Sequence, residues 1–267
     1  MTLGTGDPGT WRGGRIGERA TCVLAPNPSA MTLDGTNTWV LREPGGRRSV
    51  VVDPGPLDAE HLDRVASAAG DVGVVLLTHG HLDHSEAARA FADRVGCGVR
   101  ALDPTHVHGA EGLHDGDVVE VDGLEVRVVG TPGHTGDSLS FVVPAERAVL
   151  SGDTVLGRGT TVIAHPDGVL AAYLDSLRRL RRLAQEGEVE TIWPGHGPVL
   201  DQAAPAFERY LAHRAERLAA VREAVASGAS EPMDVVRVVY ADVDERLWPA
   251  AERSVRAQLL YLDGGGR

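Results

Sequence analysis

Four apolar, β-branched runs in this 267-residue chain each end in histidine or aspartate, and that recurrence constrains the fold more than any other feature. VVLLT runs into His79, His81, Asp83 and His84, VRVVGTPG into His134, AVLSG into Asp153, and TIWPG into His196. Such runs read as strands. Strand ends bearing polar residues converge on one edge of a sheet system, where loops carry chemistry on a rigid scaffold. Five histidines and two aspartates with no cysteine nearby are the donor set that borderline divalent ions prefer. His79 and His81 are two apart, so an extended segment points both to one side, whereas Asp83 and His84 sit at the turn into a helix beginning near Ser85 and face a second point. Seven ligands exceed the needs of one tetrahedral ion. Two adjacent ions sharing a carboxylate use all seven.

The remaining pattern is α/β with much hairpin content. NTWVLRE (37–43), RSVVVD (48–53), VGVVLLT (72–78), GLEVRVVGT (123–131), SLSFVV (138–143) and RAVLSGD (147–153) read as strands. HLDRVASAAG, SEAARAFADRVG and GVLAAYLDSLRRLRRLAQEG have apolar residues at helical spacing and stop at glycine. A longer helix over 203–226 precedes two more, in MDVVRVVYA and DERLWPAAERSVRAQLLYL. Helices between strands imply sheets covered on their outer faces.

Several classes are excluded or disfavoured. No apolar stretch reaches the roughly 20 residues that cross a bilayer, and the Gly-rich start lacks the hydrophobic segment of a signal peptide, so a cytoplasmic protein without a membrane partner is expected. Cys22 and Cys97 form no pairing pattern. The chain has no lysine, which excludes a lysine nucleophile or Schiff base. A net charge of −12 argues against a polyanion held by bulk electrostatics.

THGHLDH, TPGHT, the SGD of 151–153 and PGHG, in that order and preceded by VVDPG, resemble the successive motifs of the metallo-β-lactamase fold superfamily over residues 35 to about 200. The resemblance implies a four-layer αββα sandwich with the site along one edge between the sheets. By motif, His79, His81 and His134 would hold one ion, Asp83, His84 and His196 a second, and Asp153 would bridge. Asp53 resembles the family's supporting aspartate, which fixes a ligand histidine's tautomer. Two divalent ions are implied, zinc first and manganese or iron as alternatives. A water bridging ions about 3.5–4 Å apart becomes hydroxide near neutral pH and attacks a carbonyl or phosphoryl centre, with Asp83 as the catalytic carboxylate that manages the proton.

GTNTWV, GDTVLGRGTT, AAYLDSLRRL, PGHGPVL and YLAHRAERLAAV are similar to the narrower β-lactamase-like protein 2 group, over about residues 35–225. Its animal members cleave single-stranded RNA, and a small winged-helix-like domain follows their catalytic fold. Here the chain stops at DGGGR, so the β-wing is expected to be truncated. The expected organisation is a flexible segment over 1–20, a catalytic domain over 21–202 and a helical domain over 203–267. The favoured activity is hydrolysis of an ester or thioester-type small molecule. The alternatives are a metal-dependent endoribonuclease and a metal oxidoreductase on the same fold. His165, on a long loop after Asp153, and His213 with Arg214, on the helix after PGHG, are candidate substrate contacts. His61 and His114 read as surface residues, His106 and His108 as a second pair without further ligands, and Arg178, Arg179, Arg181 and Arg182 as solvated flanks of a leucine stripe.

Overall fold

A computed structural model describes residues 11–265. Two sheets face each other. The first has six strands in chain order: β1 (Gly13–Ile16), β2 (Ala20–Leu24), β3 (Asn37–Leu41), β4 (Arg48–Val52), β5 (Asp71–Leu76) and β6 (Gly98–Arg100). The second runs β11 (Thr191–Pro194), β10 (Ala148–Gly152), β9 (Leu139–Val143), β8 (Leu124–Gly130) and β7 (Val118–Val121). Three pairings are parallel, β4 with β5, β5 with β6 and β10 with β11. Parallel neighbours need crossovers. These contain α1 (Ala59–Ala69), α2 (Leu82–Ser85) with α3 (Ala88–Val95), and α4 (Leu170–Gln185).

Side chains alternate between two cores, as a strand's period of two requires. Leu41, Val50, Val52 and Leu76 meet Leu139, Phe141, Leu150 and Trp193 between the sheets. Trp39 stacks on Trp193 there, ring centroids 5.3 Å apart. Val40, Val51 and Val75 turn outward and pack with Leu62 and Val65 of α1 and Phe91 of α3. Val142, Val149 and Ile192 pack with Tyr173, Leu177 and Leu180 of α4 and with Phe207 of α5 (Ala203–Ala226). The layers are therefore αββα. Because both faces of these strands are buried, their sequences read as nearly continuous apolar runs.

The far half of α5 belongs to a different core. Val221 and Ala224 pack with Val235 and Val236 of α6 (Pro232–Val239) and Val255 of α7 (Trp248–Asp263). The boundary expected at 203 thus falls at the start of a helix shared by both halves. No strand follows β11 among the described residues. No helix among them is long and apolar enough to cross a membrane.

Two expectations are corrected. The segment 1–20 is not flexible throughout: residues 1–10 lie outside the described residues, but β1 pairs antiparallel with β2. Arg19 ties the hairpin down through Glu43 at 2.7 Å and Glu146 at 3.3 Å. Gly13 serves close approach, since a Cβ there would lie 2.5 Å from the Cys22 carbonyl oxygen. His61 is fully buried on the inner face of α1, where its Nε2 lies 2.9 Å from Thr38 Oγ1. Burial, reinforced by Arg64, lowers its pKa to about 4.

Candidate metal centre

Five strand ends supply the site. Asp53 follows β4, His79 and His81 follow β5, His134 follows β8, Asp153 follows β10 and His196 follows β11, while Asp83 and His84 lie on the short helix α2. Their side chains form two clusters. His79, His81, His134 and Asp153 bring one ligand atom each within 4.8 Å of one another, and so do Asp83, His84 and His196. The two carboxylate oxygens of Asp153 face different clusters: Oδ2 lies 3.7 Å from His134 Nε2, and Oδ1 lies 3.4 Å from His196 Nε2 and 3.5 Å from His84 Nε2.

The tautomers follow from the outer hydrogen bonds. His84 Nδ1 donates to Asp53 Oδ2 at 2.8 Å. Thr78 Oγ1 donates to the same oxygen at 2.6 Å, which leaves that hydroxyl to accept from His79 Nδ1 at 3.0 Å. His134 Nδ1 donates to the Val162 carbonyl at 2.9 Å and His196 Nδ1 to the Gly35 carbonyl at 3.2 Å. With those protons placed outward, four Nε2 atoms present lone pairs inward. His81 turns Nδ1 to within 3.1 Å of both His79 Nε2 and His134 Nε2. Lone pairs converging this closely need a cation among them.

The electrostatics show the same demand. Burial opposes charge on His196, yet Asp153 and Asp83 overcome it and raise its pKa to about 10. His84 is raised despite burial, by Asp153 and Asp53. Burial pushes His79 and His134 below the ordinary histidine value. Asp83 and Asp153 are pushed up by burial, but neighbouring histidines, His196 foremost, hold both below the ordinary carboxylate range. The buried Asp153 Oδ1 makes no hydrogen bond. The two clusters could therefore hold metal ions, which would compete with protons for the same nitrogens.

Residues not singled out in the sequence hold the loops. Asn37 Nδ2 donates to the carbonyls of Pro194 and Gly197 at 2.9 and 2.8 Å, fixing the PGHG turn from β3. Thr36 Oγ1 donates to Asp83 Oδ2 at 3.2 Å. Gly195 lies against both clusters: a Cβ there would lie 2.6 Å from Asp153 Oδ1 and 2.8 Å from His84 Cε1. Only the GTNTWV string hinted at the first two.

The structure separates the candidate substrate contacts. His213 and Arg214 line one cavity with Thr161 and Val162, the segment that also touches His134 and Asp153. His165 lines a different groove, against Ala257, Leu260 and Tyr261 of α7, and its backbone N–H donates to the Arg253 carbonyl at 3.3 Å. His114 is exposed, and His108 pairs with Asp93 at 2.6 Å. His106 flanks the metal loop, where a Cβ on Gly80 would lie 2.7 Å from its Nε2. Arg178 and Arg179 are paired with Asp175 at 2.7 Å and Asp115 at 2.8 Å.

A two-sheet sandwich with this doubled His/Asp cage at one edge is the architecture of a metal-dependent hydrolase. The chain belongs to the metallo-β-lactamase superfamily, whose profile matches residues 31–196. The β-lactamase associated winged helix domain matches residues 232–267. The chain is 31% identical to a β-lactamase-like protein 2 homolog of Caenorhabditis elegans, across 93% of this chain and 85% of that protein. It is also 31% identical to an atrochrysone carboxyl ACP thioesterase of Aspergillus fumigatus, across 87% of this chain and 78% of that protein. In structure it is similar to a metallo-β-lactamase family protein from Thermus thermophilus, with a TM-score of 0.76 at 21% identity over 92% of this chain and 94% of that one.

Proposed function

We propose that the chain is a dinuclear metal-dependent hydrolase acting on an ester or thioester-type small molecule. The observation that carries this reading is the pair of ligand clusters sharing Asp153. His79, His81 and His134 would hold one ion and Asp83, His84 and His196 the other, with one oxygen of Asp153 toward each. Bound there, divalent ions supply Lewis acidity and an acidified water at neutral pH. Zinc suits the imidazole and carboxylate donors, with manganese and iron as the alternatives.

The protein's own groups do the rest. Asp53 holds His84 directly and His79 through Thr78, so one carboxylate orients a ligand of each ion. Asp83 is kept ionised by His196 and His84, which suits it to hold a cation, and as the carboxylate at this edge it would be the group that relays a proton to the departing group. The thioesterase named among the relatives supports an acyl substrate over RNA, as does the net charge of −12. A cytoplasmic setting fits the same substrate class. The test is to assay zinc- and manganese-loaded protein against a thioester panel and labelled single-stranded RNA. Thioester turnover without RNA cleavage is expected, and RNA cleavage without thioester turnover would reverse the assignment.

A further inference from the structure

A buried guanidinium without a carboxylate partner lies one short segment from the metal centre. Arg214 is 6% exposed. It donates to the Thr161 carbonyl, lies over the Tyr173 ring with its Cζ 5.1 Å from the centroid, and leaves Nε buried without a hydrogen bond. Nearby, Arg217 donates to the Val239 carbonyl at 2.5 Å and covers the Tyr240 ring at 4.4 Å, again with no carboxylate among the described residues. A buried cation left without an anion is costly. In a protein of net charge −12, the buried Arg214, with the half-buried Arg217 beside it, marks a place where a balancing charge comes from outside the chain.

Both arginines line one cavity of about 260 Å³. Met31 and Val162 on the catalytic side and Val243, Leu247, Ala250 and Ala251 on the C-terminal side give it apolar walls, the hydroxyls of Thr160, Thr161, Tyr240 and Ser254 and the His213 ring add neutral polar groups, and no acidic residue lines it. A cavity of about 150 Å³ accommodates benzene. This one therefore has room for a fused bicyclic ring or a medium acyl chain. Its floor is shared with the metal centre: Thr161 Oγ1 donates to the Asp153 carbonyl at 2.5 Å, and the Val162 carbonyl accepts from His134.

We propose that this cavity between α5, α7 and the 160–162 segment binds the acyl side of the substrate, and that the group it takes is an apolar chain or aromatic ring bearing an anionic substituent, which Arg214 and Arg217 neutralise. The assignment rests on the hydrolase reading only for calling the occupant an acyl group. Guanidinium groups suit carboxylates because their planar fork engages two oxygens. His213 stays neutral beside them, its pKa lowered to about 4 by burial and by the charges of Arg214 and Arg217.

Binding is read directly, by calorimetric titration of the full-length protein with 1-naphthylacetate, octanoate and the uncharged 1-naphthylacetamide. The anionic probes are expected to saturate one site, with the amide about tenfold weaker or worse, the ratio that a charge-assisted hydrogen bond supports. Arg217→Gln should erase most of that preference, and Ala251→Phe should weaken all three probes by filling the cavity. Binding should persist in Asp153→Ala. Equal affinity for acid and amide overturns the proposal, as does retention of full affinity in both Arg217→Gln and Ala251→Phe variants whose melting shows them folded. Loss of binding in Asp153→Ala alone would place the probes on the metals instead, and tighter binding of uridine 5′-monophosphate than of naphthylacetate would assign the cavity to a nucleotide. These titrations require no turnover, so a failed thioester assay leaves their result standing.

Discussion

Replacing Asp53 by Asn removes one negative charge while sparing the backbone, because Asp53 sits at φ +50°, a left-handed conformation that Asn tolerates as well as Asp. Three donors converge on the native carboxylate: the Thr78 N–H at 2.8 Å, the Thr78 hydroxyl at 2.6 Å and His84 Nδ1 at 2.8 Å. An amide keeps one acceptor oxygen and turns an NH₂ toward the Thr78 hydroxyl and His84 Nδ1, so at least one of these must rotate. His84 then loses the bond that keeps its Nε2 lone pair inward, and His79 loses its relay through Thr78. A hydrogen bond to a charged group is worth about 1.5–3 kcal/mol. At about 1.4 kcal/mol per decade that is roughly 10–100-fold in metal affinity, the range typical of residues that orient metal-bound histidines. Zinc affinity measured by competition with a chromogenic chelator should fall by that factor in Asp53→Asn, while circular dichroism remains native. Unchanged metal affinity with lowered thermal stability would show that Asp53 only builds a turn.

Asp153→Ala should lower occupancy in both clusters rather than one, as read by metal analysis after gel filtration, because its two oxygens face different histidines. Gly195→Ala, which removes no ligand, should still cost about tenfold or more in metal affinity, since its Cβ must displace Asp153 Oδ1 or His84. Trp193→Ala should cost about 3–5 kcal/mol in urea unfolding by emptying a buried site between the sheets. His61 binds fewer protons folded, with a pKa near 4, than unfolded, near 6.5. Its contribution is complete above about pH 6.5 and is lost as pH falls toward 4. His61→Gln should therefore flatten the stability profile in that window, and an unaltered slope would refute the assignment.

The clustering of these histidines and aspartates was legible in the sequence because they follow four apolar runs, and side-chain alternation along those runs fixes which face reaches the sheet edge. The strands β3, β4, β5, β8, β9 and β10 and the helices α4 and α5 were legible for the same reason, their periodicities being long and unbroken. The strand β1 was not, since GGRI carries no apolar signal and pairs through its backbone. His61 lies on the apolar face of α1 with Leu62 and Val65, where one polar residue reads as surface until Thr38 arrives from another strand. Thr78 and Asn37 were invisible as site residues because their partners, Asp53 and the PGHG turn, lie 25 and up to 160 positions away in the chain. The neighbours of Arg214 could not be read from sequence either, because Thr161 is 53 positions distant.

Metal stoichiometry with site assignment tests the central claim most directly. Crystals of zinc-loaded protein measured on both sides of the zinc absorption edge should show two anomalous peaks per chain, one amid His79, His81 and His134 and one amid Asp83, His84 and His196, with Asp153 between them. A single peak, or peaks away from these residues in protein that still turns over substrate, would contradict the account.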